Sequence, residues 1–231
     1  LILLPGPFSE MSPIFERVLP RLTQRHARGT GSASFSLRLV GVTESVADEK
    51  LDAVRVRFPA ASFTILASGG EVSFHATVRA ARKTAAKKEL AALRAATLAA
   101  VGPWSYGEGD ATLESTVGLR LKNKRLTVAV AESCTGGSLG ARLTSVPGSS
   151  AWFHGGVIAY DDSVKTGLLG VSAALIKKHG AVSAECAEAM AKGARKAAGA
   201  DIGVSITGVA GPDGGTKAKP VGLVYISVYG P

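Results

Sequence analysis

In the second half of the chain, short apolar runs alternate with helical patterns, and this alternation restricts the fold more than any other feature. Leu126–Ala131 is almost continuously apolar, which is typical of a strand buried on both faces of a sheet. Gly156–Ala159, Ile202–Ile206 and Leu223–Val228 are further strand candidates, and helical stretches separate them. Because parallel strands need crossover connections, the pattern predicts an α/β layered domain with a largely parallel sheet.

The helical stretches of this half carry start signals. Thr112 is placed to cap a helix that runs to Lys124, and another helix is predicted over Ser138–Thr144. Ser172 and Ser183 are the expected caps of two further helices, the second of them rich in alanine. These positions fit helices that connect the predicted strands.

The first half has a different pattern, in which the strands are half-buried and pair locally. Phe35–Val40 alternates apolar and polar side chains, which predicts a strand with one face in a core. The predicted elements are a strand end at Leu1–Leu4, a helix over Ser9–Leu22, the strand Phe35–Val40, a helix within Ser45–Phe58, a hairpin of Ser62–Ala67 and Glu71–Arg79, and a helix over Ala80–Ala100. This order predicts a small α+β module.

Two glycine-containing connectors, Ala27–Ser34 and Val101–Asp110, interrupt these patterns. They predict a division of the chain into residues 1–30, 31–108 and 109–231. We also expect the chain to be a piece of a longer protein, because it begins with Leu1 and stops directly after a predicted strand.

Composition argues against several classes of protein. Two cysteines, Cys134 and Cys186, are too few for a disulfide framework or a four-cysteine zinc site. The longest stretch without an acidic or basic side chain, Leu143–Tyr160, is rich in glycine and serine, so we expect no membrane span. Leu1–Leu4 lacks the basic lead-in of a signal peptide, so we expect a cytoplasmic protein.

The net charge of +9 favours an anionic partner. Lysine and arginine number 27 against 18 acidic residues, and the excess is spread over both halves of the chain. A nucleic acid and a phosphorylated small molecule both fit this balance, and a solvated basic surface without a partner fits it equally well.

Hydroxyl and glycine residues follow the predicted strands at their carboxyl ends, where open α/β sheets bind ligands. The three segments are Glu132-Ser133-Cys134-Thr135-Gly136-Gly137, Tyr160-Asp161-Asp162-Ser163-Val164-Lys165 and Thr207–Gly215. Because the carboxyl ends of parallel strands meet at one edge, the three segments together predict a site there.

Ser133 lies in the first of these segments, at a predicted turn from strand to helix. The glycines after it let backbone N–H groups approach a ligand, and the start of the helix favours negative charge. Such a turn serves a nucleophile with an oxyanion hole, or it holds a phosphate, or its hydroxyls only cap the helix. The residues alone leave all three interpretations open.

A serine nucleophile needs a base, and none of the four histidines follows a strand end cleanly. Lys165 is the better candidate, because burial at the start of a helix favours the neutral, basic form of an amine. Tyr160 would relay the proton or bind the substrate. Cys134 is a rival nucleophile without an activating histidine, and Glu132 is a base, a group that orients the serine, or a structural carboxylate.

The other polar residues of these segments have simpler interpretations. Asp161 and Asp162 lack the companions that a metal site needs, so we interpret them as turn and cap residues and predict no metal. Thr207 begins a segment that is too rich in glycine for an ordinary linker, and its backbone N–H groups suit a phosphate or a carboxamide. A mobile loop without a ligand is the alternative.

Four motifs follow one another in the second half: Ala131–Gly137, Pro147–Phe153, Gly180–Ser183 and Thr207–Gly215. Together they resemble the C-terminal domain of the CinA family, over about residues 111–231. Upstream, Leu4–Met11 resembles the end of the family's N-terminal molybdopterin-binding-like domain, and residues 31–108 resemble its KH-like module. Family members continue past the last strand with a Gly-Asp-Arg stretch and a helix, from which we expect an arginine near a substrate phosphate.

The CinA C-terminal domain is similar to nicotinamide-nucleotide amidohydrolases. The resemblance therefore implies hydrolysis of the carboxamide of nicotinamide mononucleotide to nicotinate mononucleotide and ammonia. It implies that Ser133 is the nucleophile, and that Lys165 and Tyr160 serve as acid and base. The implied substrate-binding residues are Thr135, Gly136, Gly137, Thr207, Gly208 and Gly211. It implies no cofactor, and we expect a small-molecule nucleotide substrate and a homo-oligomer.

The alternative function is that of a nucleic-acid-binding or regulatory competence/damage-inducible module without catalysis. The basic run Arg82–Lys88, at the start of a long helix, would bind single strands. Against this, Ser68-Gly69-Gly70-Glu71 fits a G-x-x-G clamp badly, and few aromatic side chains are available for stacking.

Overall fold

The computed structural model describes residues 2–26 and 31–231. The chain divides into two compact units, Leu1–Ala111 and Thr112–Pro231, and a four-stranded sheet lies in each. The division into three parts that the connectors predict stays a prediction.

The first unit joins helices to one face of an antiparallel sheet. Its elements are α1 (Phe8–His26), β1 (Gly31–Val40), α2 (Glu44–Arg57), β2 (Ser62–Ser68), β3 (Glu71–Ala80), α3 (Lys83–Val101), a 3-10 turn (Gly102–Trp104) and β4 (Ser105–Glu108). The sheet order is β2-β3-β1-β4, and every neighbouring pair is antiparallel. Leu37 of β1, Phe74 of β3, Leu51 of α2 and Leu93 of α3 are fully buried in one core.

The predicted order of strand, helix, hairpin and helix is confirmed, and three details are wrong. Residues 2–4 form no strand. β1 begins at Gly31 rather than Phe35, because it pairs along the whole of β3; residues 27–30 of the first connector lie outside the described residues. The second connector contains β4, which lacks apolar alternation and forms by pairing with the edge of β1.

The second unit is the predicted α/β domain with a largely parallel sheet. Its elements are α4 (Leu113–Lys124), β5 (Val128–Glu132), α5 (Ser138–Thr144), a 3-10 turn (Ser149–Ala151), β6 (Phe153–Ile158), α6 (Asp162–Gly167), α7 (Ala173–His179), α8 (Ala184–Ala198), β7 (Ile202–Gly208) and β8 (Val224–Tyr229). The sheet order is β6-β5-β7-β8. β5 runs parallel to β6 and β7, and β8 runs antiparallel to β7.

Both faces of β5 are covered, which explains its apolar sequence. All five residues from Val128 to Glu132 are buried. Ala131 packs in a cluster with Met190 of α8, whereas Val130 belongs to a second cluster with Trp152. Successive side chains of a strand point to opposite faces, so β5 forms part of both cores.

β6 differs from the prediction for it. It spans Phe153–Ile158 rather than Gly156–Ala159, and half-buried and exposed residues alternate along it. β6 lies at the edge of the sheet, which leaves Ile158 56% exposed. Only glycine fits at position 156, because a Cβ there would lie 2.4 Å from Cγ2 of Val130. Glycine gives a strand no apolar signal in the sequence.

Two of the predicted helix caps are confirmed. Thr112 forms a capping box with Ser115 at the start of α4, and Ser183 Oγ accepts a hydrogen bond from the backbone N–H of Cys186 at the start of α8. Ser172 stands at the cap position of α7, as predicted, but its side chain makes no capping hydrogen bond there. The position of the cap is therefore right and the predicted side-chain bond is wrong.

Candidate functional site

The register of the second sheet brings three strand ends to one level. Glu132, the last residue of β5, pairs with Ile158 of β6 and with Ile206 of β7. Beyond them, the Ser133 N–H donates to the Ile206 carbonyl at 2.9 Å, and the Ala159 N–H donates to the Glu132 carbonyl at 2.7 Å. The residues that follow each strand therefore leave the sheet side by side, at its carboxyl edge.

Ser133 begins a tight turn between β5 and α5. Its carbonyl accepts a hydrogen bond from the Gly136 N–H at 3.1 Å, and Gly136 and Gly137 have φ values of 58° and 101°, which favour glycine. Ser133 is 8% exposed. Among the described residues, no group forms a hydrogen bond with its hydroxyl, so the hydroxyl is not used as a cap for α5.

The Glu132 carboxylate is fully buried behind this turn and holds it in place. It accepts hydrogen bonds from the Thr135 hydroxyl at 2.7 Å and from the backbone N–H groups of Leu139 and Gly140 at 2.9 and 2.8 Å. Burial alone would raise the pKa of Glu132, but these hydrogen bonds outweigh it and lower the pKa. Of the three roles that the sequence left open, the structural carboxylate fits this geometry.

Cys134, the rival nucleophile, is held as a thiol. Burial raises the pKa of this cysteine, and the negative charge of Glu132 raises it further. The thiolate is the reactive form of cysteine, so the surroundings of Cys134 disfavour nucleophilic attack by it.

Lys165 lies in α6 and is 1% exposed. Its Nζ donates to the Tyr160 carbonyl and to Oδ1 of Asp162, both at 3.1 Å. The helix that carries it is capped by Asp161, which accepts from the Ser163 N–H at 2.8 Å. The amine is thus fixed close to the end of β6, and it points away from bulk water.

Tyr160 contributes its backbone to this arrangement. The carbonyl oxygen contacts Lys165, whereas the side chain is 71% exposed. The role of the phenol in relaying a proton or binding the substrate stays a prediction.

Thr207 closes the site on the other side of β5. It is fully buried, and its hydroxyl donates to the Ala181 carbonyl at 2.9 Å. The turn that contains Ala181 is held by Ser183, whose hydroxyl donates to the Gly180 carbonyl at 2.8 Å. Two of the four sequence motifs, Gly180–Ser183 and Thr207–Gly215, thus contact each other directly.

The glycines after Thr207 are required by close packing. A Cβ at Gly208 would lie 2.6 Å from the Leu223 carbonyl oxygen, and one at Gly211 would lie 2.5 Å from Val221. Gly211 has a φ of 81° and precedes Pro212 through a cis peptide bond. The segment is a folded loop, anchored by hydrogen bonds between Val209 and the far end of the loop.

Within residues 2–26 and 31–231, no three His, Cys, Asp or Glu side chains gather where they could hold a metal ion. Over the same residues, no helix has the length and hydropathy that crossing a membrane requires. The expected homo-oligomer stays a prediction.

Comparison with known proteins decides the family. Residues 110–231 match the model of the CinA C-terminal domain. The chain belongs to the CinA family. A CinA-like protein of Dictyoglomus thermophilum is 42% identical over 229 residues, which are 99% of this chain and 56% of that protein. A CinA-like protein of Synechococcus elongatus is 44% identical over 234 residues, covering all of this chain and 55% of the relative.

A solved structure is similar to about half of this chain. It is the competence/damage inducible protein CihA from Agrobacterium tumefaciens, which is 39% identical with a TM-score of 0.50. The match covers 51% of this chain and 72% of the solved chain. The chain spans about half the length of the curated CinA relatives it matches.

Sequence reasoning missed three contacts at or near the candidate site. Asp162 was interpreted as a turn residue, yet it forms an ion pair with Lys165. The Ala181 carbonyl receives the Thr207 hydroxyl, and the Nζ of Lys219 donates to the His179 carbonyl at 2.8 Å. The spacing of Asp162 and Lys165, three residues apart at the start of a helix, was a usable signal for the first. Nothing local signals the other two.

Proposed function

We propose that the second unit hydrolyses the carboxamide of nicotinamide mononucleotide, giving nicotinate mononucleotide and ammonia. One observation carries the proposal: the register of β5, β6 and β7 brings the Ser133 turn, the buried amine of Lys165 and Thr207 to one edge of the sheet. The likeness of the motifs to nicotinamide-nucleotide amidohydrolases supplies the substrate. The net charge of +9 suits its phosphate.

In the proposed reaction, Ser133 Oγ attacks the carboxamide carbon and its proton passes to the amine of Lys165, which must first lose the proton whose charge pairs with Asp162. Lys165 then gives the proton to the leaving nitrogen, and ammonia departs from an acyl ester on Ser133. Water attacks the ester, the C–O bond to the serine breaks, and the serine recovers its proton as the carboxylate leaves. The exposed phenol of Tyr160 would assist proton transfer once substrate covers it.

Thr207 has a defined part in this scheme. Its hydroxyl proton is already given to the Ala181 carbonyl, so its oxygen could bind a ligand only as an acceptor. An acceptor at this position suits the NH2 group of a carboxamide. The backbone N–H groups of the segments around Thr135, Gly136, Gly137, Gly208 and Gly211 would bind the rest of the substrate.

The experiment is a measurement of ammonia release from nicotinamide mononucleotide by the protein and its Ser133→Ala variant. We expect a loss of about a thousandfold or more in kcat, since the nucleophile is removed. Ser145→Ala, at an exposed serine of the same crossover, is the matched control and should keep the full rate. Equal rates for the protein and Ser133→Ala would remove Ser133 from the mechanism.

A second candidate function, binding of single-stranded nucleic acid by the first unit, is favoured by one observation. Arg82 stands at the cap position of α3, and Lys83 is the first residue of the helix. The first turn has no acidic side chain, and the exposed Lys87 and Lys88 follow it. Cations at this end of a helix oppose its dipole and cost stability, and a bound anion would offset that cost.

The test is the anisotropy of a labelled single-stranded oligonucleotide at low and high salt. Neutralising Lys87 and Lys88 together as glutamines should weaken binding and flatten its dependence on salt. The same change at the exposed pair Lys177 and Lys178 of α7 is the control. No binding by the unaltered protein at low salt would end this candidate.

A further inference from the structure

Lys219 is a cation close to the candidate site that the proposed reaction does not use. It lies in the loop between β7 and β8, and it is half-buried. Its Nζ donates to the His179 carbonyl at 2.8 Å. His179 is the last residue of α7, and the carbonyl groups at the end of a helix attract cations.

The loop is folded in a way that fixes Lys219. The Lys219 N–H donates to Thr216 Oγ1 at 3.0 Å, and the Thr216 N–H donates back to the Lys219 carbonyl at 2.8 Å. At the base of the loop, Val209 exchanges hydrogen bonds with Gly222 and Leu223. Both the turn that carries Lys219 and the base of the loop are therefore tied by backbone hydrogen bonds.

The Lys219 ammonium group lies beside the turn that contacts Thr207. A Cβ at Gly180 would lie 2.7 Å from the Nζ of Lys219, and the next residue, Ala181, accepts the Thr207 hydroxyl. Cys186, at the start of α8, lies close enough to Lys165 and Lys219 for both of their charges to affect its pKa. Burial raises the pKa of Cys186, and the charges of both Lys165 and Lys219 oppose that rise.

The ammonium group has bonding capacity to spare. It carries three N–H groups, of which one is given to the His179 carbonyl. Over residues 2–26 and 31–231, no carboxylate forms an ion pair with it, whereas Lys165 across the site has Asp162. A half-buried charge without a counter-ion is costly, and an anionic ligand would offset that cost.

We propose that Lys219 binds the phosphate of the substrate and thereby makes the site select a nucleotide over the corresponding nucleoside. The choice of nicotinamide mononucleotide as that nucleotide rests on the proposed function, whereas the anion site itself does not. The two remaining N–H groups of Lys219 would donate to oxygens of the phosphate, next to the Gly180–Ser183 turn.

The experiment compares the protein with Lys219→Met, Lys219→Arg and Lys217→Met. Lys217 is an exposed lysine of the same loop, so Lys217→Met is the matched control. Two quantities are measured for each: kcat/KM for nicotinamide mononucleotide and nicotinamide riboside, and the affinity for inorganic phosphate by titration calorimetry. Thermal unfolding of each variant shows whether it is folded.

Lys219→Met should lower kcat/KM for the mononucleotide by about tenfold or more, through KM, and leave the riboside unchanged. The same variant should lose its affinity for phosphate, while Lys219→Arg and Lys217→Met keep it. Equal losses for both substrates with unchanged phosphate affinity would overturn the proposal and leave Lys219 a tether of the loop. Absence of phosphate binding in the unaltered protein would also overturn it.

The two proposals fail in distinguishable ways. If neither substrate releases ammonia but Lys219→Met abolishes the binding of phosphate, the amidohydrolase assignment is wrong and the anion site at Lys219 stands. If ammonia is released and phosphate affinity does not depend on Lys219, the assignment stands and the anion site is wrong.

Discussion

At the scale of single residues, Glu132 shows how a buried charge is stabilised beside a reactive turn. Three donors, from Thr135, Leu139 and Gly140, surround its two oxygens. A charged acceptor forms stronger hydrogen bonds than a neutral one, and inside a protein these bonds compensate for the hydration that the carboxylate loses on burial. The carboxylate therefore fixes the backbone from which Ser133 projects. It stabilises the fold of the second unit as well as the geometry of the candidate site.

Glu132→Gln should destabilise the second unit by about 2 kcal/mol or more. An amide NH2 would face one of the N–H groups of α5 and leave that donor unpaired in the core. Urea unfolding at pH 7 measures the change. Glu188→Gln, which removes an exposed ion pair with Lys192, is the control and should cost well below 1 kcal/mol.

The same substitution should remove part of the acid sensitivity of the protein. The pKa of Glu132 is lowered in the folded state from its ordinary value of 4.5, so its contribution to stability is complete above that value and is lost as the pH falls through the folded pKa. Unfolding free energy measured from pH 7 down to pH 3 should fall less steeply for Glu132→Gln. An unchanged slope would contradict the structural role of the charge.

Cys134→Ala should retain amide hydrolysis within a few-fold. Burial and the nearby carboxylate both raise the pKa of this thiol, which disfavours the thiolate form that a cysteine nucleophile needs. Ammonia release by the variant is the measurement, and slow reaction of Cys134 with a thiol-specific reagent below pH 8 is the companion observation. Loss of activity comparable to that of Ser133→Ala would reverse the assignment of the two residues.

At the scale of elements, the contact between α8 and β7 depends on a glycine. A Cβ at Gly203 would lie 1.9 Å from the Ala191 carbonyl oxygen, which belongs to helix backbone and has little freedom to move. Gly203→Ala should therefore cost about 3 kcal/mol in unfolding free energy. Gly167→Ala, at a position with open space around it, should be neutral or slightly stabilising. Similar stabilities for the two variants would contradict this packing.

The same scale explains which elements the sequence predicts. α4, α5 and β5 were predicted closely because their signals are local: a capping threonine, helical spacing and a continuous apolar run. β4 was missed, because it forms through pairing with β1, about seventy residues earlier, and has no pattern of its own. The start of β6 was missed because His154 and Gly155 interrupt the apolar signal between Phe153 and the rest of the strand.

The residues of the candidate site also fall into two groups, those with a local signal in the sequence and those without one. Ser133, Lys165 and Thr207 were predicted because each follows a strand whose carboxyl end the sequence already defines. Tyr160 contacts Lys165 through its backbone carbonyl. Reasoning from side-chain types does not predict a contact that a backbone group makes. Lys219 contacts His179, forty residues earlier, and only a folded structure brings them together.

At the scale of the whole molecule, two compact units meet in sequence at Ala111 and Thr112. The boundary falls just before the capping box of α4, whose hydrogen bonds between Thr112 and Ser115 are complete within the second unit. Both clusters of the second core draw their residues from within the range 112–231. A unit with its own core and its own helix start has what independent folding requires.

We therefore predict that residues 110–231, expressed alone, fold cooperatively and release ammonia from nicotinamide mononucleotide at the rate of the whole chain. The residues of the candidate site and the proposed anion site at Lys219 all belong to this range. Urea unfolding and the ammonia assay, run on both chains, provide the comparison. A second fragment that begins at residue 116 should fold less stably by about 1 kcal/mol, because it lacks the Thr112 cap. A folded but inactive 110–231 fragment would assign the first unit a part in the reaction.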